Sequence, residues 1–212
     1  MDDISIVLYI CFLIPMLFSL FIMESKSRLV VGYILIGTTV CLIITYVNTY
    51  IYNALDKDML YFCTTISPIT EELIKALPIL FYALFISDNW QKLTQSSFAI
   101  GLGFAIMENM IMLTQSASGT DIRWAVFRGL GAGLMHSICT VAIGIGISFV
   151  RKIRKMFYCC TFSLLMLAAT YHSIYNSLVM SKYKYFGIVL PVLTYIPLLI
   201  VQFKRKKKNA DN

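Results

Sequence analysis

Residues 59–86 read MLYFCTTISPITEELIKALPILFYALFI. The run is long and apolar enough to cross a bilayer, yet it carries Glu71, Glu72 and Lys75 near its middle. An ionisable side chain at that depth costs about 2.5–3.5 kcal/mol on insertion scales, so such residues face inward and interact. Whether the run is a membrane helix depends on its surroundings. Of 212 residues, 58% are hydrophobic, and the mean hydropathy is +0.76. A water-facing domain of this size cannot hide so much apolar surface. Working outward, further apolar runs lie at 4–23, 29–48, 97–113, 124–150, 157–180 and 185–203. The expectation is an all-α polytopic transmembrane helical bundle of about seven spans. It reads as a single domain over 1–212, with a motif-bearing core at about 59–180 and a basic tail at 204–212.

The start of the third run is open. Proline suits the first turn of a helix, so the membrane helix begins either at Met59 or at Pro68, with 59–66 then an interfacial or re-entrant lead-in. The chain opens on the acidic Met1-Asp2-Asp3 and no small-residue cleavage site follows, so the first run is expected to stay as a span. With an external N-terminus and seven crossings, twelve basic residues fall inside and four outside. The inner set includes Lys26, Arg28, Lys92, the group at 151–155 and the tail Lys204, Arg205, Lys206, Lys207 and Lys208. The outer set is Lys57, Arg123, Lys182 and Lys184. This bias predicts the N-terminus outside and the C-terminus inside. A basic tail after an apolar span meets anionic lipid headgroups, so membrane lipids and not nucleic acid are the expected partners of the net +7 charge. The six cysteines lie in or beside apolar runs without metal-knuckle spacing and read as filler.

More polar residues interrupt later runs: Glu108 in the fourth, His136 in the fifth, His172 and Asn176 in the sixth. Glu71, Glu108 and His136 sit about 11–12 residues into their runs and His172 about 15, or roughly 17–23 Å along a helix axis. Glu71 and Lys75 are one turn apart and predict an ion pair that Glu72 can join. His172 and Asn176 share a face in the same way. Gly129, Gly133, His136, Thr140 and Gly144 form a stripe, and Gly129-x-x-x-Gly133 predicts close helix approach. Arg128, near a helix end, reads as snorkelling, with no role. One His or one Glu–Lys pair is ordinary core structure. Polar groups at one depth in four helices predict convergence on one water-accessible cavity.

Glu71-Glu72-Leu73-Ile74-Lys75 resembles the EExxK motif of PrsW-type membrane proteases, and Phe104-Ala105-Ile106-Met107-Glu108 resembles their FxxxE motif. His136 and His172 match the two later histidine motifs. The wider superfamily includes CAAX endopeptidases and bacteriocin-processing proteins. It is similar in the paired glutamates and in a late HxxxN motif, here His172 to Asn176. FxxxE and Lys75 favour the PrsW branch. The resemblance implies an intramembrane endopeptidase of the cell membrane, in a bacterial plasma membrane. Its implied substrate is a membrane-anchored protein of the anti-sigma-factor kind.

Peptide hydrolysis needs activated water and oxyanion stabilisation. There is no GxSxG or HExxH. Adjacent carboxylates are the best base available. Glu71 is expected as base with Glu72 as its partner, the exchange of roles staying open. His172 and Asn176 are expected at the oxyanion, Glu108 and His136 as positioning groups, and Lys75 as support. This chemistry needs no cofactor. Its rival is zinc on Glu72, Glu108, His136 and His172. Ion- or proton-coupled transport needs similar buried groups, but no inverted repeat is visible. A non-catalytic immunity or sensor protein is the third possibility.

Overall fold

The computed structural model describes residues 3–55, 57–115 and 121–210. The side chains of residues 3, 5, 26 and 201–210 lie outside the described part, so the expected roles of Lys26 and of the basic tail fall outside the described residues. Among the described residues the protein is all-helical, with seven helices and no strand. These are α1 (Asp3–Ile22), α2 (Ser25–Leu55), α3 (residues 59–85), α4 (Trp90–Gln115), α5 (Ile122–Ile147), α6 (Arg154–Val179) and α7 (Phe186–Ala210).

The third run is one continuous helix from residue 59. Asp58 caps it, its carboxylate accepting the Tyr61 N–H at 2.7 Å. Pro68 has no N–H for the carbonyl four residues back, and the helix widens into a π-turn at 62–66 just before it. Asp121 and Asn89 cap α5 and α4 likewise. The caps at Asn89 and Asp121 explain why α4 and α5 begin earlier than their apolar runs suggested. Among the described residues four helices are long and apolar enough to cross a membrane: Ser27–Leu55, Trp90–Gln115, Ile122–Ile147 and Arg154–Val179. Shorter apolar helices lie at Ile6–Ile22 and Phe186–Ile200.

α5 is the centre of the bundle, packed between α4 and α6, while α2 lies along α4. α3 closes the cluster against α2, α5 and α6. Side chains such as Phe18, Phe21, Phe85 and Phe162 point outward, a surface suited to lipid. The expected Gly129–Gly133 approach is not observed. A second π-turn at 128–132 breaks the one-turn register, and a Cβ at either glycine would meet nothing within 4 Å. Close approach occurs further along the same stripe, where a Cβ on Gly144 would collide with the Ser97 side chain of α4, and from the opposite helix. A Cβ on Gly101 of α4 would lie 2.6 Å from the His136 carbonyl oxygen, so this glycine lets α4 press against α5 at the histidine. At one end of the bundle Lys152 donates to the Asp88 carbonyl at 3.1 Å and Arg151 donates to the Leu84 carbonyl. The α3–α4 and α5–α6 loops therefore share that end.

Candidate active site

Glu71 and Glu72 are neighbours on α3, about 100° apart around it, so they meet different partners. The Ser67 hydroxyl, one turn earlier, donates to Glu71 Oε1 at 2.6 Å. Glu72 Oε1 receives the Lys75 ammonium at 2.7 Å and faces His172 Nδ1 at 2.9 Å. The ion pair of Lys75 is thus with Glu72, not with Glu71 as the one-turn spacing predicted. Lys75 reaches on to His136 Nδ1 at 2.8 Å and lies 4.0 Å from the centre of the Phe104 ring.

Phe104 and Glu108 are one turn apart on α4 and flank His136. The Phe104 ring centre is 4.8 Å from that of His136, and Glu108 Oε2 is 3.2 Å from its Nε2. The two histidine rings meet edge to face, 4.8 Å apart. Tautomers follow from the partners. An ammonium only donates, so His136 Nδ1 accepts and its Nε2–H goes to Glu108. A carboxylate only accepts, so His172 Nδ1–H goes to Glu72 and its Nε2 carries the lone pair. That nitrogen lies 3.8 Å from Glu71 Oε2, which is buried with no hydrogen-bond partner among the described residues.

The five groups converge as expected, but they form a packed cluster. Glu72, Lys75, His136 and His172 are buried, and Glu108, with a side chain 25% exposed, is the most open member. A cavity of about 1190 Å³ lies elsewhere, lined by Tyr33, Tyr82, Lys92, Ala99 and Tyr195 among others. Asn176 departs from the expected oxyanion site: its amide donates to the Cys63 carbonyl at 2.9 Å, tying α6 to the π-turn of α3. Arg128, assigned no role from sequence, bonds Glu108 Oε2 at 2.5 Å and Asn109 Oδ1 at 2.8 Å. The π-turn at 128–132 lets its side chain turn inward. Charge arithmetic was the signal for it: three buried carboxylates against Lys75 alone call for a second cation, and Arg128 is the one other basic residue within an apolar run.

Residues 25–202 match the PrsW-protease family, described as PrsW family intramembrane metalloprotease. The chain belongs to that family. No curated protein and no solved structure matches it. PrsW membership makes this a membrane protease by family, with a protein as the class of substrate.

The PrsW description names a metal, and the donors can be tested against one. Glu71, His136 and His172 each offer one ligand atom, all within 4.8 Å of one another. Two imidazoles and a carboxylate suit zinc with a fourth position open. The lone pairs of Glu71 Oε2 and His172 Nε2 face each other and repel unless a proton, water or cation lies between them. Glu72 behind His172 is the carboxylate–histidine arrangement that fixes a metal-binding tautomer. With neutral histidines and ionised glutamates, Glu71, Glu72 and Glu108 outnumber Lys75 and Arg128 by one negative charge, and Glu71 is the carboxylate that neither cation bridges. His136 fits least well, since it must release Lys75 or Glu108 to offer a lone pair. The set fits a divalent metal. It differs from the zinc set expected from sequence in using Glu71, because Glu72 is held by Lys75 and His172 and Glu108 by Arg128.

Proposed function

We propose that this PrsW-family protein is a multi-pass endopeptidase of the cell membrane, bacterial by resemblance. It cuts membrane-anchored proteins of the anti-sigma-factor kind at a zinc-type centre on Glu71, His172 and His136. The unpartnered Glu71 Oε2 opposite His172 Nε2 at 3.8 Å carries the reading. The sequence favoured a metal-free pair of glutamates; the uncompensated charge on Glu71, the three converging donors and the family's description together move the reading to the metal.

When bound, zinc supplies Lewis acidity, which acidifies water and polarises the scissile carbonyl. Glu72 is the general base. Its Oε1 is held by Lys75 and His172, while its Oε2 is buried and unpartnered, leaving a lone pair to take a proton. Lys75 and Glu108 hold His136 from its two nitrogens, and Arg128 holds Glu108.

Chelation tests the metal. Full-length protein in micelles is expected to lose cleavage of a membrane-anchored reporter with phenanthroline and to regain it with zinc. Full activity in protein shown by elemental analysis to hold no metal returns Glu71 to the role of base. Orientation is tested separately. With seven crossings, a tag at the N-terminus is labelled from outside the cell and one at the C-terminus only after permeabilisation. Labelling of both tags on one side gives an even number of crossings.

A further inference from the structure

α2 carries none of the motif residues, yet it reaches the site. Near its end Asn48 donates from Nδ2 to Ser67 Oγ at 2.9 Å, and Ser67 donates to Glu71 Oε1 at 2.6 Å. On the other side Thr70 Oγ donates to Asn48 Oδ1 at 2.6 Å. We propose that Asn48 and Ser67 are positioning residues that aim Glu71 at the centre of the site. The inference rests on the role given to Glu71 above.

The direction of the chain follows from the groups themselves. An ionised Glu71 has no proton, so the short contact needs the Ser67 hydroxyl hydrogen. Ser67 then has nothing left to donate and must accept from its other neighbour. Asn48 meets that need only by turning its NH₂ toward Ser67, which leaves its carbonyl for Thr70. Thr70 supplies the hydrogen there. Each bond thus forces the next, from Thr70 through Asn48 and Ser67 to Glu71. Ser67 is buried and one turn before Glu71, so its hydroxyl engages Oε1 and leaves Oε2 facing His172. Asn48 comes from a different helix, so it couples the α2–α3 contact to the orientation of a single carboxylate.

The chain predicts an order of effects. Ser67→Ala removes the bond to Glu71. Asn48→Leu, similar in size, removes the amide that holds the Ser67 hydroxyl in place. Outer-shell partners of a ligand are typically worth about 10–100-fold in metal affinity. Asn48 reaches Glu71 through Ser67, so its effect on metal affinity is expected to vanish once Ser67 is gone. A general packing role would instead add to that of Ser67→Ala.

The test is a titration of full-length protein in micelles with Zn²⁺ against a chromophoric chelator. Thermal midpoints taken alongside restrict the comparison to folded variants. Wild type is expected to bind one tight equivalent and Glu71→Gln none. Ser67→Ala is expected to bind about 10–100-fold more weakly, Ser67→Thr within a fewfold of wild type, and Asn48→Leu about tenfold more weakly. Asn48→Leu with Ser67→Ala is expected to match Ser67→Ala alone. Loss in Glu71→Gln with wild-type affinity in Ser67→Ala and Asn48→Leu overturns this inference and leaves the proposed function standing. Additive losses in the double variant overturn it too. No tight equivalent in wild type, or wild-type affinity in Glu71→Gln, overturns the metal reading and this inference with it.

Discussion

Glu72→Gln is expected to keep zinc and lose proteolysis by about 10²–10⁴-fold, the range for a lost general base. Glu71→Gln is expected to lose both. The amide keeps the size of the carboxylate and its ability to accept a hydrogen bond. At position 72 it still accepts His172 Nδ1–H, so the imidazole keeps its tautomer, but it no longer takes a proton. At position 71 it still accepts from Ser67, but the charged ligand opposite His172 Nε2 is gone. Rate per folded, inserted protein and bound metal by elemental analysis are the two measurements. A Glu72→Gln variant at full rate beside an inactive, zinc-loaded Glu71→Gln variant exchanges the roles. Full rate in both removes the paired carboxylates from the chemistry, and the non-catalytic reading then stands first.

The elements that the sequence disclosed are those whose signal is local. Seven helices follow from apolar runs. Phe104 and Glu108 flank His136 because one-turn spacing puts them on one face. The partner choice of Lys75 was not disclosed, because spacings of three and four both permit a pair. His172 decides it by holding Glu72 from the far side. Arg128 was misjudged because its place near a helix end suggested snorkelling, and the π-turn at 128–132 has no periodic signature. Asn48 was missed for another reason: an amide at the end of an apolar run has many ordinary uses, and only folding brings it to Ser67. Asn176 shows the converse error. Its spacing from His172 is right for a shared site, but the widened turn at 62–66 offers it the Cys63 carbonyl.

Lys75→Met is expected to destabilise the protein by about 3–5 kcal/mol, the cost of leaving one member of a buried ion pair without its partner. Both side chains of the Lys75–Glu72 pair are 0% exposed, so water cannot replace the lost ammonium. Arg128 and Glu108 differ, at 12% and 25% exposure, and Arg128→Met is expected to cost less because water reaches the carboxylate. Glu72→Gln on its own leaves Lys75 uncompensated and is destabilising as well. Combining it with Lys75→Met removes both charges, so the double variant is expected to be more stable than the sum of the two losses. Unfolding midpoints of the solubilised proteins give the comparison. Strict additivity would mean that Lys75 and Glu72 do not depend on each other, contrary to their 2.7 Å contact. A stable, well-folded double variant without proteolysis would instead separate the two uses of the pair: the fold requires only that its charges cancel, whereas catalysis requires that one of them be a carboxylate.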